Sequence, residues 1–127
     1  GLNFQKVAQE NCLCGKLSGP PQISRSGLTD GIAVKKPYSG MGDIFFPLVE
    51  DITCVSEEEI SRAIVKVLMT EGRVVEGSGA AALAGVLKNK NKWNLGSHCC
   101  VVVSGGNIDP PVLAEVIKKY GREKDIV

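Results

Sequence analysis

The chain has 127 residues, of which 43% are apolar and 23% are charged, a composition typical of one water-soluble domain or part of one. Its 15 basic and 14 acidic residues give a net charge of +1, and with so little excess positive charge and few aromatic side chains we expect no nucleic-acid ligand. The longest strongly apolar run, Cys99–Val103, is far shorter than the roughly 18 residues of a membrane helix, so no membrane span is expected.

The first part of the chain is predicted to be mostly irregular. Residues 1–27 contain clusters of Gly, Pro and Ser without a sustained hydrophobic period, which is typical of loops. Residues 30–51 mix short apolar pieces with Pro and Gly, which predicts a turn followed by an irregular or proline-started helix. The pattern at Ile52–Val55 predicts a short strand.

The clearest element is a helix predicted from Ser56 to Gly72. Ser56 and Glu59 match the S-x-x-E capping box, in which each residue satisfies a backbone N–H of the other. Apolar residues then recur at the spacing of one helical face, and Gly72 supplies the stop.

A second helix, rich in small residues that allow close packing, is predicted over Ala80–Leu87, with Lys88–Lys92 as a solvated connection after it. The sequence GSGAAA at 77–82 has the G-x-G-x-x-A outline of a dinucleotide-binding fingerprint. That fingerprint also needs an acidic residue about 20 positions later, and no Asp or Glu occurs from Gly77 to Ile108. Glycines that let a helix pack tightly on a sheet explain the pattern better.

The last third of the chain predicts a strand, a turn and a helix. His98–Val103 is apolar on both faces, as is typical of a buried strand in a parallel sheet. A final helix is predicted to open at Pro110–Pro111 and to close at Gly121. Strands alternating with helices predict an α/β sandwich.

The turn Ser104–Asn107 is a candidate ligand site because ligands of open α/β sheets bind beyond the carboxyl ends of the strands. Gly105 and Gly106 let the backbone approach a flat ligand, while the Ser104 hydroxyl and the Asn107 carboxamide can donate and accept hydrogen bonds. An ordinary strand-to-helix turn uses the same residue types, so the pattern alone leaves both interpretations open.

The cysteines and the single histidine indicate no catalytic or metal site. The five cysteines, at 12, 14, 54, 99 and 100, form no C-x-x-C pair, which argues against a closed zinc site or a complete disulfide framework. We expect small buried thiols in a reducing compartment, which favours a cytoplasmic protein. His98 is expected at the start of a strand or on the surface.

Four motifs of the chain resemble, in order and spacing, motifs of the pyridoxal-phosphate-dependent threonine dehydratases and of the related serine dehydratases and serine racemases. They are LTDGIAVKKP at 28–37, VSEEEI at 55–60, VEGSGA at 75–80 and VVSGGNID at 102–109. Any one of these motifs is a weak signal, whereas four in the family's order are a strong one.

The resemblance implies a fold type II scaffold similar to the tryptophan synthase β subunit, a three-layer α/β sandwich with a mostly parallel sheet. It implies that residues 28–127 are the carboxyl-terminal part of a dehydratase catalytic domain and that residues 1–27 are a divergent or irregular lead. Pyridoxal 5′-phosphate is the implied cofactor of the complete enzyme.

The resemblance also implies a set of cofactor-binding residues. Ser104 matches the serine that faces the pyridine nitrogen of the cofactor, and Gly105 and Asn107 belong to the same turn. Gly31 matches the glycine of the family's D-G motif, whose backbone lies near the cofactor. Glu76 matches an acidic residue beside the active site, although a structural carboxylate at a helix start explains it nearly as well.

The family's Schiff-base lysine lies in an S-F-K-x-R-G motif, and a glycine-rich loop holds its cofactor phosphate; neither motif occurs in these residues. We therefore expect part of an enzyme that deaminates L-threonine or L-serine to a 2-oxo acid and ammonia, inactive as this chain alone and homo-oligomeric when complete. Its partner is a small hydroxy amino acid substrate. The alternatives are a non-catalytic remnant or interaction module of the same fold and a dinucleotide-binding half-domain.

Overall fold

The computed structural model of the chain describes residues 28–32, 48, 51 and 53–123. The chain divides into two compact units, one formed by Gly1–Arg25 with Gly31–Cys54 and the other by Ser26–Asp30 with Val55–Val127. The lead predicted at 1–27 lies outside the described residues, as does most of the proline-interrupted segment predicted over 30–51. The boundary between the two units after Asp30 falls within a short 3-10 turn, Asp30–Ile32.

The first helix of the second unit, α1, spans Glu57–Glu71 and has the caps that the sequence predicts. The Glu59 backbone N–H donates to the Ser56 hydroxyl at 3.1 Å, and the Ser56 N–H donates to the Glu59 carboxylate at 2.7 Å. Gly72 follows the helix with φ of 63°, and its N–H donates to the Leu68 carbonyl. This left-handed conformation suits glycine. The predicted capping box and the predicted stop are both confirmed.

Glu59 also connects α1 to the second helix, α2, which spans Gly77–Asn89. The Lys88 ammonium donates to Glu59 Oε2 at 3.1 Å. Partial burial acts to raise the pKa of Glu59, but the hydrogen bonds from the Ser56 backbone and from Lys88, with the charge of Lys88, outweigh it and lower this pKa. The folded chain therefore favours the ionised form of Glu59.

The helix α2 begins earlier and ends later than the predicted Ala80–Leu87. It includes Lys88 and Asn89, so the predicted solvated connection Lys88–Lys92 is wrong at its first two residues. Asn89 is only 7% exposed, and its side-chain Nδ2 donates to the Gly85 carbonyl at 2.9 Å. This bond satisfies a buried polar group that its residue type alone would place in solvent.

The third helix, α3, spans Pro110–Tyr120 and has proline in its first turn. Proline is tolerated there because the first N–H groups of a helix have no partner within it. The Gly121 N–H donates to the Ile117 carbonyl at 2.8 Å after the last turn. The predicted opening at Pro110–Pro111 and the predicted close at Gly121 are confirmed.

The core of the second unit forms where α1 packs against both α2 and α3. Small buried residues on α2, Ala80 and Ala84, allow α1 to approach closely, and Ile64 on α1 is 0% exposed. Burying a side chain of this size contributes about 1.5–3 kcal/mol. The buried apolar residues are Ile60, Ala63, Ile64, Val65, Val67, Val75, Ala80, Ala84, Val116 and Tyr120.

The buried strand predicted at His98–Val103 is not found. No strand is assigned within the described residues, and the described part of the predicted strand Ile52–Val55 is also irregular. Val102 is 73% exposed and Val103 48% exposed, so the apolar pattern does not reflect burial in this chain. An apolar run becomes a sheet strand only when a neighbouring backbone accepts and donates hydrogen bonds along its length. The parallel sheet of the expected sandwich therefore stays a prediction.

The cysteines of the described part differ from the expected buried free thiols. Cys99 and Cys100 are free but exposed, and Cys54 is half-buried and disulfide-bonded. His98 is exposed, which agrees with the prediction of a surface position, and its Nδ1 lies 2.9 Å from the Ser97 hydroxyl.

Neither a membrane span nor a metal site is found in the residues that the structure describes. Each helix there is too short or too polar to cross a lipid bilayer. No three His, Cys, Asp or Glu side chains in the same part of the chain are grouped to hold a metal ion.

Candidate functional site

The turn Ser104–Asn107 lies beside the amino-terminal end of α2, where Glu76 is the N-cap residue. The Glu76 N–H donates to the Gly105 carbonyl at 3.2 Å. In return, the Asn107 N–H donates to Oε2 of the Glu76 carboxylate, also at 3.2 Å. We call these two contacts the Glu76 clamp. They join the VEGSGA and SGGN motifs, which are far apart in the sequence.

The carboxylate of Glu76 is directed to the turn and not to its own helix. An acidic N-cap residue ordinarily accepts hydrogen bonds from N–H groups in the first turn of its helix. Glu76 makes no such side-chain bond, and its oxygen accepts the Asn107 N–H. The sequence interpretation of Glu76 as a helix-start carboxylate is therefore correct for its position and incomplete for its contacts.

Gly105 has a conformation and surroundings that exclude a side chain. Its φ is 71°, a left-handed value that L-residues with a Cβ adopt only at a cost. A Cβ on this residue would also overlap the Glu76 carboxylate. The glycine thus lets the carboxylate lie directly against the turn backbone, as a close backbone approach requires.

Two glycines of α2 bring its first turn against other backbone segments. A Cβ on Gly79 would overlap the carbonyl of Ser104, and a Cβ on Gly77 would overlap the carbonyl of Leu28. Leu28 is the first residue of the LTDGIAVKKP motif, so this residue and the VEGSGA and SGGN motifs lie together at the amino-terminal end of α2.

These contacts decide between the two explanations of the GSGAAA sequence. In a dinucleotide-binding turn, glycines leave room for a pyrophosphate to approach the backbone. Here the space beside Gly77 and Gly79 is filled by the carbonyls of Leu28 and Ser104. The geometry agrees with the packing explanation, in which the glycines allow α2 to lie close to its neighbours.

The polar groups of the turn are available to a ligand. Ser104, Gly105 and Asn107 are exposed, whereas Glu76 is half-buried. The Ser104 hydroxyl and the Asn107 carboxamide can each donate and accept hydrogen bonds, as the edge of a nitrogen heterocycle requires. The space that a Cβ of Gly105 would occupy is filled by the Glu76 carboxylate, so the exposed side chains, and not that side of the Gly105 backbone, are the groups open to a ligand.

Gly31 is not brought to the turn by any described contact. It is exposed, lies in the short 3-10 turn Asp30–Ile32 and belongs to the first unit. Its predicted role beside a cofactor stays a prediction, as do the roles of the turn residues.

Sequence reasoning missed two features of this site. The carbonyl of Leu28 contacts the helix start at Gly77, and the Glu76 carboxylate crosses to the Asn107 N–H. The first had a weak signal, since a glycine in the first turn of a helix indicates a close neighbour without identifying it. The second had none, because hydrogen bonds between distant segments leave no periodic pattern.

Comparison with known families gives a match over most of the chain. Residues 6–105 match the sequence model of a family described as pyridoxal-phosphate dependent enzyme. This range contains the candidate residues Gly31, Glu76, Ser104 and Gly105, and it ends two positions before Asn107.

Individual relatives are bacterial enzymes. The chain is 42% identical over 92 residues to the L-threonine ammonia-lyase of Geobacter sulfurreducens, an alignment that covers 72% of this chain and 23% of the relative. It is 43% identical over 97 residues to the L-threonine ammonia-lyase of Thermotoga maritima, with coverage of 72% and 22%.

A catabolic L-threonine dehydratase of Staphylococcus aureus is 35% identical over 95 residues, with coverage of 73% of this chain and 28% of the relative. The chain thus spans about a quarter of the length of these relatives. No significant match to a solved structure was found.

Proposed function

Because the chain belongs to the family of pyridoxal-phosphate-dependent enzymes, we propose that its residues 28–127 are the carboxyl-terminal part of a threonine or serine dehydratase catalytic domain. The complete enzyme deaminates L-threonine or L-serine to a 2-oxo acid and ammonia. Its scaffold is the fold type II three-layer sandwich, in which His98–Val103 joins a mostly parallel sheet.

The Glu76 clamp is the observation that carries this proposal. The clamp joins the VEGSGA and SGGN motifs, two of the four motifs that resemble those of the dehydratases. Oε2 of the Glu76 carboxylate accepts the Asn107 N–H at 3.2 Å. Gly105 has a left-handed φ of 71°, and Ser104 and Asn107 on either side of it are exposed. The identities of 42% and 43% to two threonine ammonia-lyases support the same reaction class.

In this proposal Ser104 holds the pyridine nitrogen of the cofactor. When bound, pyridoxal phosphate supplies the electron sink for the substrate's α-carbon. A serine hydroxyl is neutral, so it hydrogen-bonds the ring nitrogen without the negative charge that would keep that nitrogen protonated. Ser104 thereby favours rapid elimination of a β-hydroxyl over a long-lived carbanion.

The other candidate residues position the ring. Asn107 contributes a carboxamide at the end of the same turn, and Gly105 and Gly31 contribute backbone without a side chain in the way. Leu28 and Gly79 keep this arrangement in place through the contacts at the start of α2.

The proposal assigns no catalytic residue to this chain. The S-F-K-x-R-G lysine motif and the glycine-rich phosphate loop of the family do not occur in its sequence, so the 127 residues alone are expected to be inactive. The complete enzyme is proposed to be a cytoplasmic homo-oligomer whose small-molecule partner is the hydroxy amino acid.

A chimera tests the proposed function. Residues 28–127 replace the corresponding segment of the Geobacter sulfurreducens L-threonine ammonia-lyase, the relative that is 42% identical. We expect the chimera to bind pyridoxal phosphate and to convert L-threonine or L-serine to an oxo acid, measured by trapping the carbonyl product. The unmodified parent enzyme and the 127-residue chain alone are the matched controls.

The alternatives give different results. A folded chimera that binds pyridoxal phosphate without forming an oxo acid from either substrate would support a non-catalytic module and contradict the proposal. Saturable binding of a nicotinamide dinucleotide by the 127-residue chain would support the dinucleotide-binding half-domain.

A further inference from the structure

We infer that Glu76 is a positioning residue that acts on Ser104 through the backbone of the turn, so that its carboxylate sets how well this chain presents the serine to a cofactor. The inference rests on the proposed function for its cofactor and on the Glu76 clamp for its geometry. Glu76 is called a positioning residue because its carboxylate binds the Asn107 N–H and lies against Gly105.

The two hydrogen bonds of the clamp hold the turn at the carbonyl of its left-handed residue, Gly105, and at the N–H two residues later. The Glu76 N–H donates to the Gly105 carbonyl, and the Asn107 N–H donates to the Glu76 carboxylate, each at 3.2 Å. The flexible residue Gly106 lies between these anchor points in the sequence. Because glycine populates several backbone conformations in solution, the anchors restrict the turn to one of them.

Ser104 is held by the clamp and also by the helix start. Its carbonyl lies so close to Gly79 that a Cβ there would overlap it, and the next residue accepts the Glu76 N–H. The backbone of Ser104 is thus fixed by Gly79 on one side and by the Glu76 clamp on the other. Removing the carboxylate releases the carboxyl-terminal anchor and leaves the contact with Gly79.

The negative charge of the Glu76 carboxylate makes it a stronger hydrogen-bond acceptor for the Asn107 N–H than a neutral oxygen would be. A hydrogen bond to an ionised carboxylate is stronger than one to a neutral group, and Glu76 is half-buried while its partner is exposed. Glu76→Gln keeps an oxygen at the same distance along the side chain and removes the charge. Glu76→Ala removes both the acceptor oxygen and the charge. The two substitutions therefore separate the hydrogen bond from the charge.

The test begins with the full 127-residue chain and needs no cofactor. Hydrogen exchange of the Asn107 amide, followed by NMR, measures the clamp directly. We expect Glu76→Ala to increase its exchange rate about 3- to 10-fold, the range for loss of a partly exposed charge-assisted hydrogen bond. Glu76→Gln should give a smaller increase, and amides in the middle of α1 should not change.

Glu57→Ala is the control because Glu57, like Glu76, is a carboxylate at a helix start, but it is exposed and has no described contact with the turn. The Glu57→Ala variant loses the same favourable interaction with a helix dipole, and the exchange rate of its Asn107 amide should be unchanged. An unchanged Asn107 exchange rate in Glu76→Ala, or an equal increase at every helical amide, would overturn the inference.

The chimera described above then measures the effect on the cofactor. We expect Glu76→Ala to weaken pyridoxal phosphate binding several-fold, Glu76→Gln to restore part of the loss, and Ser104→Ala to have a smaller effect in the Glu76→Ala background than alone. Such non-additivity indicates that the two residues act on one contact. Additive effects would overturn the inference.

The two stages distinguish the two proposals. If the unsubstituted chimera does not bind pyridoxal phosphate, the proposed function fails, and with it the assignment of Glu76 to cofactor presentation. If it binds the cofactor while the Asn107 amide is insensitive to Glu76→Ala, only the positioning role fails.

Discussion

The ring of Tyr120 lies under the guanidinium of Arg62, with the central guanidinium carbon 5.3 Å from the ring centroid. The same guanidinium pairs with Glu58 on its own helix and with Glu123 just beyond α3, each at 2.8 Å. The hydrogen bond with Glu123 is the main reason that the pKa of Arg62 is raised above its ordinary value. Arg62 therefore links α1 to the residues just after α3. Its guanidinium also covers the ring of Tyr120, which is only 4% exposed.

Tyr120→Ala should destabilise the second unit strongly. The substitution removes a buried aromatic side chain from the α1–α3 contact, and truncations of this kind cost about 3–5 kcal/mol. Tyr120→Phe keeps the ring and should change the free energy of unfolding much less. Urea unfolding followed by circular dichroism measures both values. Equal stability of the alanine and phenylalanine variants would show that the ring does not stabilise this contact.

The sequence predicted the ends of α1 and α3 well because their chemistry is local. The Ser56 and Glu59 side chains bind each other's backbone within one turn, and the prolines at 110 and 111 act on their own backbone. The strand predicted at His98–Val103 is not confirmed for the opposite reason, since a strand depends on partners elsewhere in a chain. The apolar composition of a segment shows that it can be buried, but it does not show which other segment would cover it.

The candidate site was predictable in part. The turn Ser104–Asn107 was found from its residue types and from the resemblance. The carboxylate that holds it comes from Glu76, far away in the sequence, and Gly31 falls in the other unit. Lys88 is exposed, as predicted for the run of lysines and asparagines at 88–92, but it lies in the last turn of α2 and its ammonium reaches Glu59 at 3.1 Å.

The ionisation of Glu59 should make the stability of α1 dependent on pH. Its pKa is lowered in the folded chain, so its contribution is fully present above the unfolded pKa of about 4.3 and is lost as the pH falls through the folded value. Glu59→Gln should cost about 0.5–1 kcal/mol at pH 7 and less at pH 3.

Denaturant unfolding at the two pH values checks this expectation, with Glu71→Gln as the control because Glu71 is exposed at the other end of α1. A cost for Glu59→Gln that is the same at pH 3 and pH 7 would show that the charge of Glu59 does not stabilise the fold.

Whether Gly79→Ala raises or lowers the free energy of unfolding tests the packing of α2. Alanine is better than glycine in a helix by about 1 kcal/mol, so propensity alone predicts a more stable protein. Because the added Cβ would overlap the Ser104 carbonyl, we expect a loss of about 1–3 kcal/mol, as for other overpacked sites. Ala82→Ser, at an exposed position of the same helix, is the control. A higher melting temperature for Gly79→Ala would contradict the close approach.

The 127-residue chain should not form a specific covalent linkage with pyridoxal phosphate. The lysine motif of the family is absent from its sequence, so we expect no single lysine to be selected. After mixing with the cofactor and reduction with borohydride, mass spectrometry should find scattered, substoichiometric labels. Stoichiometric labelling of one lysine, with a visible absorption band before reduction, would contradict the prediction.

Ser104 should be tested in the chimera, where a cofactor can bind. If its hydroxyl contacts the pyridine nitrogen, Ser104→Ala removes one neutral hydrogen bond of about 0.5–1.5 kcal/mol, which weakens cofactor binding by about 2- to 12-fold. The rate of oxo-acid formation should fall with it. Thr29→Ala, at a half-buried position of a different motif, controls for a general loss of packing around the start of α2.

Ser104→Asp should act differently, because a carboxylate favours a protonated ring nitrogen and so deepens the electron sink. A longer-lived carbanion can take up a deuteron from heavy water and return to substrate labelled at the α-carbon, so the ratio of deuterium incorporation to oxo-acid formation should rise. An exposed turn serine without a ligand would show neither effect, since its replacement typically changes stability by no more than about 0.5 kcal/mol. Unchanged cofactor affinity in Ser104→Ala, together with an unchanged exchange ratio in Ser104→Asp, would refute the role of Ser104.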